Sequence, residues 1–262
     1  MTERRFWELT WTLAVTDWRL RFYGSALGYL WTLARPFAFF GVIYVVFTEI
    51  ADVGSGVKDY GICILFSMVL FQFFAEATNG SVTAIVRREN LLRKMRFPRL
   101  AIPVSTVVTA LMNLGATLVA VFIFAVATGV YPTWRWLELP VLIAVLATVA
   151  TGTGMLLSVL FVRYRDVQPI WEVSTQILFY ASPILYVATM VPADYQRAYL
   201  CNPIAAVLTQ VRHAVVDPTA PTVSALIGGA AWLLVPLALA VAVLALGAWV
   251  FGREAPRLAE NL

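Results

Sequence analysis

Six stretches of this chain stay apolar for about twenty residues each, at roughly 30–50, 60–86, 100–129, 137–162, 169–187 and 225–251. A helix of that length rises about 30 Å, the thickness of a bilayer's hydrocarbon core. No water is present there, so each segment must bond its own N–H and C=O groups, which a helix does. With 61% hydrophobic and 13% charged residues among 262, the chain carries roughly half the charge usual in soluble domains. Its mean hydropathy is +0.80. The six stretches leave no room for a soluble domain. The sequence therefore reads as an all-α membrane protein, one transmembrane domain over 1–262 with six spans. No cleavable leader is evident, because the first 25 residues are amphipathic and lack a continuous apolar core.

Lys and Arg stay preferentially on the cytoplasmic side. With both termini inside, the inner segments hold Arg4, Arg5, Arg19, Arg21, Arg35, six residues of the 87–99 loop, Arg163, Arg165, Arg253 and Arg257, fifteen in all. The outer segments keep four, Lys58, Arg135, Arg197 and Arg212. Inside termini are the expectation.

The basic loop, RRENLLRKMRFPRL at 87–100, then joins spans two and three on the cytoplasmic side. Arg87, Arg88 and Glu89 lead into a short helical stretch with Leu91, Leu92 and Met95 on one face, which Pro98 closes because proline disfavours helix in the residue before it. Charge for steering and an apolar ridge for docking suit a soluble partner that pushes on it; the alternative is a topology anchor alone. Residues 4–22 read as an amphipathic interface helix, with Trp7, Trp11, Ala14, Trp18 and Phe22 at three- and four-residue spacing and Glu8, Thr12, Thr16 and Arg19 on another face. At 188–222, Pro192, Pro203, Pro218 and Pro221 break a segment too apolar for a plain loop. Short re-entrant helices on the outer side are expected there, with a folded extracellular cap as the alternative.

Four motifs follow one another: Tyr23-Gly24-Ser25-x-Leu27-Gly28-Tyr29-Leu30-Trp31 with Arg35-Pro36, Phe97-Pro98-Arg99, Ser182-Pro183-Ile184-Leu185-Tyr186, and Asn202-Pro203 with Arg212. In that order they resemble the membrane subunits of polysaccharide-exporting ABC transporters, the Wzm and TagG type permeases of O-antigen, capsule and teichoic acid export, over nearly the whole chain. The resemblance implies six spans per subunit, an N-terminal interface helix, a coupling helix between spans two and three, and re-entrant helices before the last span. It further implies a bacterial plasma membrane location, a homodimer, two cytosolic ATPase subunits carrying ATP and Mg, and a lipid-linked glycan as cargo. Leu91, Leu92, Arg93, Lys94, Met95, Phe97, Pro98 and Arg99 are then expected to couple to the ATPase. Arg19, Arg21 and Arg35 are candidates for the lipid diphosphate headgroup, because guanidinium forks suit phosphate.

The residues themselves bear on energy supply and cargo. A P-loop needs G-x-x-x-x-G-K-[ST]; Lys58 and Lys94 are the only lysines and neither sits in that pattern. No cofactor is expected on this chain, and ATP hydrolysis falls to another polypeptide. Six helices are few to enclose a path for a bulky hydrophilic substrate, so a two-fold dimer is expected.

Aromatics cluster at Phe71, Phe73 and Phe74, at Phe179, Tyr180 and Tyr186, and at Tyr195 and Tyr199. Sugar rings stack on aromatic planes without a fixed hydrogen-bond pattern, which makes Phe71, Phe74, Phe179, Tyr180, Tyr186 and Tyr199 channel candidates; lipid contact or packing is the plain alternative. Glu76, ionisable and mid-span, is another. Sharing a face with Gln72 and Asn79, it lines a channel, pairs with a basic residue of a neighbouring helix, or stays protonated. Glu172 is expected to pair with Arg163 or Arg165.

His213 has no second histidine to share a metal and reads as packed or solvated. Cys63 and Cys201 lie near the outer face, where a disulfide is chemically allowed. No zinc-ligand pattern, nucleophile elbow or pair of catalytic carboxylates occurs, and nothing points to nucleic acid. The rival classes are an efflux permease for small hydrophobic molecules, which would share the fold, and a membrane-embedded transferase. Seventeen arginines against two lysines hint at a GC-rich genome and a cell-wall glycan such as galactan.

Overall fold

The computed structural model describes residues 3–22, 28–51, 53–54, 56–89 and 98–255. Among these residues there are helices and no strands. The elements are α1 (Glu3–Phe22), α2 (Gly28–Val45), which widens into a π turn at Val46–Ile50, α3 (Tyr60–Val82), the short α4 (Ala84–Arg87), α5 (Ala101–Ala127), α6 (Glu138–Arg163) and α7 (Val167–Ala181). There follow α8 (Ala193–Leu200), α9 (Pro203–Val211) with a π turn at Arg212–Val216, α10 (Val223–Ile227) and α11 (Leu234–Glu254). Five helices, counted with their flanking turns, are long and apolar enough to cross a membrane: Leu33–Ile50, Tyr60–Val82, Ala101–Ala127, Trp134–Arg163 and Ala230–Glu254.

Helix α3 is the hub, with 78% of its most apolar window buried. It packs against α2, α5, α6 and α7, which explains why it is apolar over most of its circumference, apart from a face with Gln72, Glu76 and Asn79. Helix α5 runs antiparallel to it: Thr106 lies beside Gly80, Asn113 bonds Glu76, and Phe122 meets Phe66. Helix α6 runs parallel to α3, with Gly154 against Ser81. Helices α6 and α11 also run side by side, Gly152 against Leu244 and Gly247, and Phe251 in one cluster with Met155 and Val159. A Cβ on Gly152 would fall 2.6 Å from the Leu244 backbone, so a glycine is required for this close approach.

Two expected boundaries are corrected. The stretch 169–187 is not one long helix: α7 has 15 residues and ends at Ala181. Ser182 is extended (φ −103°, ψ 153°), as Pro183 demands of the residue before it. The path nevertheless continues alongside α3, since Trp171 donates to Thr78 at one end and the Tyr60 hydroxyl donates to the Leu185 carbonyl at the other. The last span begins at 230–234 rather than 225, because Gly228 and Gly229 take φ of 91° and 135° and end α10 with a left-handed cap.

Within 188–222 the prolines yield short helices. Asn202 caps α9 by accepting from the Ile204 amide at 3.0 Å, with Pro203 in the first turn. At the N-terminus, α1 lies along the start of α5, burying Thr10 and Ala14, while the Thr109 hydroxyl donates to the Ala14 carbonyl at 3.3 Å. Trp7 and Trp11 remain about 60% and 57% exposed. They face away from the protein although they share the expected apolar stripe with Ala14.

Candidate functional site

A cavity of about 970 Å³ opens between α1, α2, α3, α5 and α7. Helical spacing builds one wall: Met68, Phe71, Gln72, Ala75, Glu76 and Asn79 recur at three- and four-residue intervals and so share one face of α3. The facing wall is α7, which contributes Glu172, Thr175, Gln176, Phe179 and Tyr180. Helix α2 adds Trp31, Arg35 and Phe39, α1 adds Arg21, and α5 adds Asn113.

Glu76 is the best-connected polar group. Arg21 Nη1 donates to its Oε1, forming an ion pair, and Asn113 Nδ2 donates to the same oxygen at 2.6 Å. The ion-pair side chains keep 43% and 24% of their surface exposed, so water screens the pair and its net worth to stability is about 1 kcal/mol or less. The lining role and the pairing role expected of Glu76 therefore occur together. One turn earlier on α1, Asp17 pairs with Arg88, which also donates to Ser105 Oγ at 2.9 Å. Arg35 lines the cavity with no ion-pair partner among the described residues.

The other sequence candidates divide clearly. Arg21, Arg35, Phe71, Glu76, Phe179 and Tyr180 come together on the cavity. Arg19 is exposed on α1 and is not among its lining residues. Phe74, 1% exposed, packs in the core against Phe71 and Trp171. Glu172 does not pair with Arg163 or Arg165; it accepts from Gln168 at 3.0 Å, while the two arginines lie over the rings of Tyr164 and Phe161. Of the coupling residues, Leu91, Leu92, Arg93, Lys94, Met95 and Phe97 lie outside the described residues. Pro98 and Arg99 form the turn into α5, their carbonyls accepting from Ala101 and Ile102. Asn113 and Gln176 escaped the sequence reading. Asn113 is the only carboxamide of α5, a helix with no charged side chain, so its cost in an apolar span is the available signal.

At the far end of α3 the chain closes up. The space lined by Cys63, Tyr186 and Arg212 measures about 10 Å³. Tyr199 donates to the Tyr186 hydroxyl at 3.1 Å, which itself donates to the Tyr180 carbonyl at 3.2 Å. Burial, then this bond, pushes the Tyr199 phenol well above its ordinary pKa. Neither tyrosine is among the residues that line the cavity, although Tyr186 bonds the backbone of Tyr180, which is. His213, 8% exposed, has Nδ1 2.6 Å from the Ala220 carbonyl and Nε2 2.7 Å from Arg135 Nη1. A carbonyl and a guanidinium on opposite nitrogens require the neutral tautomer with hydrogen on Nδ1. His213 is therefore packed. Cys63 and Cys201 are both free thiols.

A profile of the ABC-2 type transporter family matches residues 8–216, most of the chain. This chain belongs to that family. It is accordingly a multi-pass membrane component of a transporter. It is similar to the O-antigen export system permease protein RfbA of Klebsiella pneumoniae, 26% identical over 204 residues, 78% of each chain. The RfbA of Myxococcus xanthus is 28% identical over 200 residues, 76% of each chain. The polysialic acid transport protein KpsM of Escherichia coli is 24% identical over 208 residues, 78% of this chain and 79% of KpsM. All the residues that line the cavity fall within the matched region.

Proposed function

We propose that this chain is the membrane subunit of an ATP-driven exporter that carries a lipid-linked, cell-surface polysaccharide out of the inner leaflet. The observation that carries the reading is the cavity: aromatic planes and hydrogen-bonding side chains share one space, with the guanidinium groups of Arg21 and Arg35 on its lining. A sugar ring has apolar C–H faces and a rim of hydroxyls, and a lipid diphosphate needs cations, so one lining serves both. The relatives named for O-antigen and polysialic acid support the same cargo class.

In this reading both termini face the cytoplasm, the chain crosses the bacterial plasma membrane six times with α7 and 182–187 as the fifth crossing, and α1 lies at the interface. The 87–99 segment docks into an ATPase. Two copies of the chain form the pathway and two ATPase copies bind ATP and Mg, the P-loop pattern being missing from this sequence.

The test is a strain lacking this chain, assayed for surface glycan and for sensitivity to hydrophobic drugs together. Loss of surface glycan, with lipid-linked glycan accumulating inside and drug sensitivity unchanged, is expected. Restoring an Arg35→Gln variant should recover only part of the surface glycan. Normal glycan with altered drug sensitivity would move the function to small-molecule efflux.

A further inference from the structure

A second space, of about 400 Å³, opens where α1 crosses the bundle, and it shares only Arg21 with the lining of the large cavity. Its walls come from the end of the bundle that carries the 87–99 segment. Gly80 stands two residues before the end of α3, Arg87 ends α4, and Thr106 lies in the second turn of α5. Asp17, Leu20 and Arg21, near the end of α1, close it. Helices α3 and α5 are long enough to cross a membrane, so their paired ends reach the bilayer surface, where the exposed Trp7, Trp11 and Leu20 of α1 also suit headgroup depth. Cations prevail in this space: Arg21, Arg87 and Arg88 line it against one carboxylate, Asp17. Asp17 pairs with Arg88, and Glu76, from the neighbouring cavity, pairs with Arg21. Arg87 is left over, exposed and with no ion-pair partner among the described residues. The side-chain donors are guanidinium groups too, because Thr106 gives its hydroxyl proton to Ile102 and Thr109 shares its own between Ser105 and Ala14, all backbone carbonyls.

We infer that this space holds the phosphate of an anionic membrane phospholipid, a lipid of the bilayer rather than the cargo. Guanidinium forks match phosphate oxygens, and basic pockets between transmembrane helices are where anionic headgroups dock. The one excess cation sets the lipid class. A phosphodiester with an uncharged polar head brings a single negative charge to Arg87, whereas a choline head brings its own cation beside it. Leu20, exposed on the lining, gives the acyl-glycerol end an apolar contact that a soluble phosphate has no use for. A phosphate held between Arg21 and Arg87 ties α1 to α4, so occupancy holds the interface helix against the bundle. The inference needs α1 at the membrane interface and does not depend on which cargo is exported.

The experiment titrates the full chain, purified in a maltoside detergent, with short-chain phosphatidylglycerol, short-chain phosphatidylcholine and inorganic phosphate. Binding is read by native mass spectrometry and by the rise in melting temperature. Phosphatidylglycerol is expected to bind about fivefold or more tightly than phosphatidylcholine, the scale of one cation near a membrane surface. Arg87→Gln changes an exposed side chain and should fold; it is expected to weaken phosphatidylglycerol about fivefold, to the level of phosphatidylcholine. Arg163→Gln is the control. It removes an exposed arginine at the C-terminal end of α6, on the same side of the bundle but off the lining, and is expected to leave the preference unchanged. Equal affinity for the two lipids, or equal losses in the two variants, overturns the site, because general surface charge then accounts for the binding. Inorganic phosphate binding as tightly as phosphatidylglycerol overturns the lipid as occupant. Displacement of phosphatidylglycerol by a lower concentration of polyprenyl diphosphate, seen only with Arg87 in place, overturns the inference in favour of the cargo headgroup.

Discussion

The two ends of helix α3 carry different polar groups and use them in opposite ways. Toward its C-terminus, Gln72, Glu76 and Asn79 face a space of about 970 Å³. At its N-terminus, Cys63 adjoins one of about 10 Å³. The difference lies in where the polar groups spend their hydrogen bonds. At the closed end several go to backbone: Tyr60 to the Leu185 carbonyl, Trp136 to Val215, His213 to Ala220 and Arg135 to Pro218. The 182–222 segment is mostly short helices and turns, and side chains from α3 and the α6 entry satisfy carbonyls that no long helix would. At the open end side chains bond mainly one another, as Arg21, Asn113 and Glu76 do, and Arg35 has no ion-pair partner among the described residues. Polar groups committed to backbone hold a shape; uncommitted ones are available to a passing substrate.

That contrast makes the closed end a determinant of stability and the open end a determinant of transport. The largest stability effect is expected for His213→Leu, which strands the buried Ala220 carbonyl and leaves Arg135 with only its bond to the Pro218 carbonyl. A cost of about 1–3 kcal/mol should appear as a lowered melting temperature of the purified protein, with surface glycan falling only as far as protein level does. A variant that melts normally but exports nothing would break the comparison. Glu76→Gln should behave the other way. Its ion pair is partly exposed and worth about 1 kcal/mol or less, and the glutamine oxygen still accepts from the Asn113 amide, so melting barely changes, while glycan export drops severalfold. Exchanging the charges, Arg21→Glu with Glu76→Arg, should recover part of that export if pairing matters, and none if Glu76 must meet substrate as an anion.

The smallest effect concerns acid. Burial pushes the Asp217 carboxyl up, but bonds from the Thr219 hydroxyl and amide, together with Arg212 and Lys58, outweigh it and hold the pKa below 3.8. A depressed carboxylate contributes stability that is present above 3.8 and is lost as pH falls through the folded value. Melting temperature should therefore decline below about pH 4 more steeply in the native protein than in Asp217→Asn, which lacks the titrating group. Parallel curves would remove Asp217 from the supports of the closed end.

Much of the fold was legible beforehand. Long apolar runs marked five helices to within a few residues, and the prolines of 188–222 foretold short helices. Ser182-Pro183 ends α7 at Ala181, a break that the apolar run through it hides in the sequence. Four of the proposed channel residues and two of the three arginines do meet on one cavity. Tyr186 and Tyr199 were placed with them only because aromatic clustering along a chain carries no depth. Asn113 was passed over because a single amide in a 27-residue helix leaves the apolar periodicity undisturbed.

The sequence by itself determined which segments are helices of membrane length and which prolines and glycines stand ready to break them. Those properties are local: they depend on the period of apolar residues, on proline and glycine, and on the length a helix needs to bury its backbone. The tertiary structure decided who meets whom. Arg21 reaches Glu76 across 55 positions and Asn113 reaches it across 37, and Glu172 turns toward the cavity rather than toward Arg163. Each residue advances a helix face by about 100°, so a small change in how two helices rotate or slide against each other exchanges one set of neighbours for another. Periodicity gives a helix its faces; only packing against α3 fixes which face looks into the cavity and at what depth.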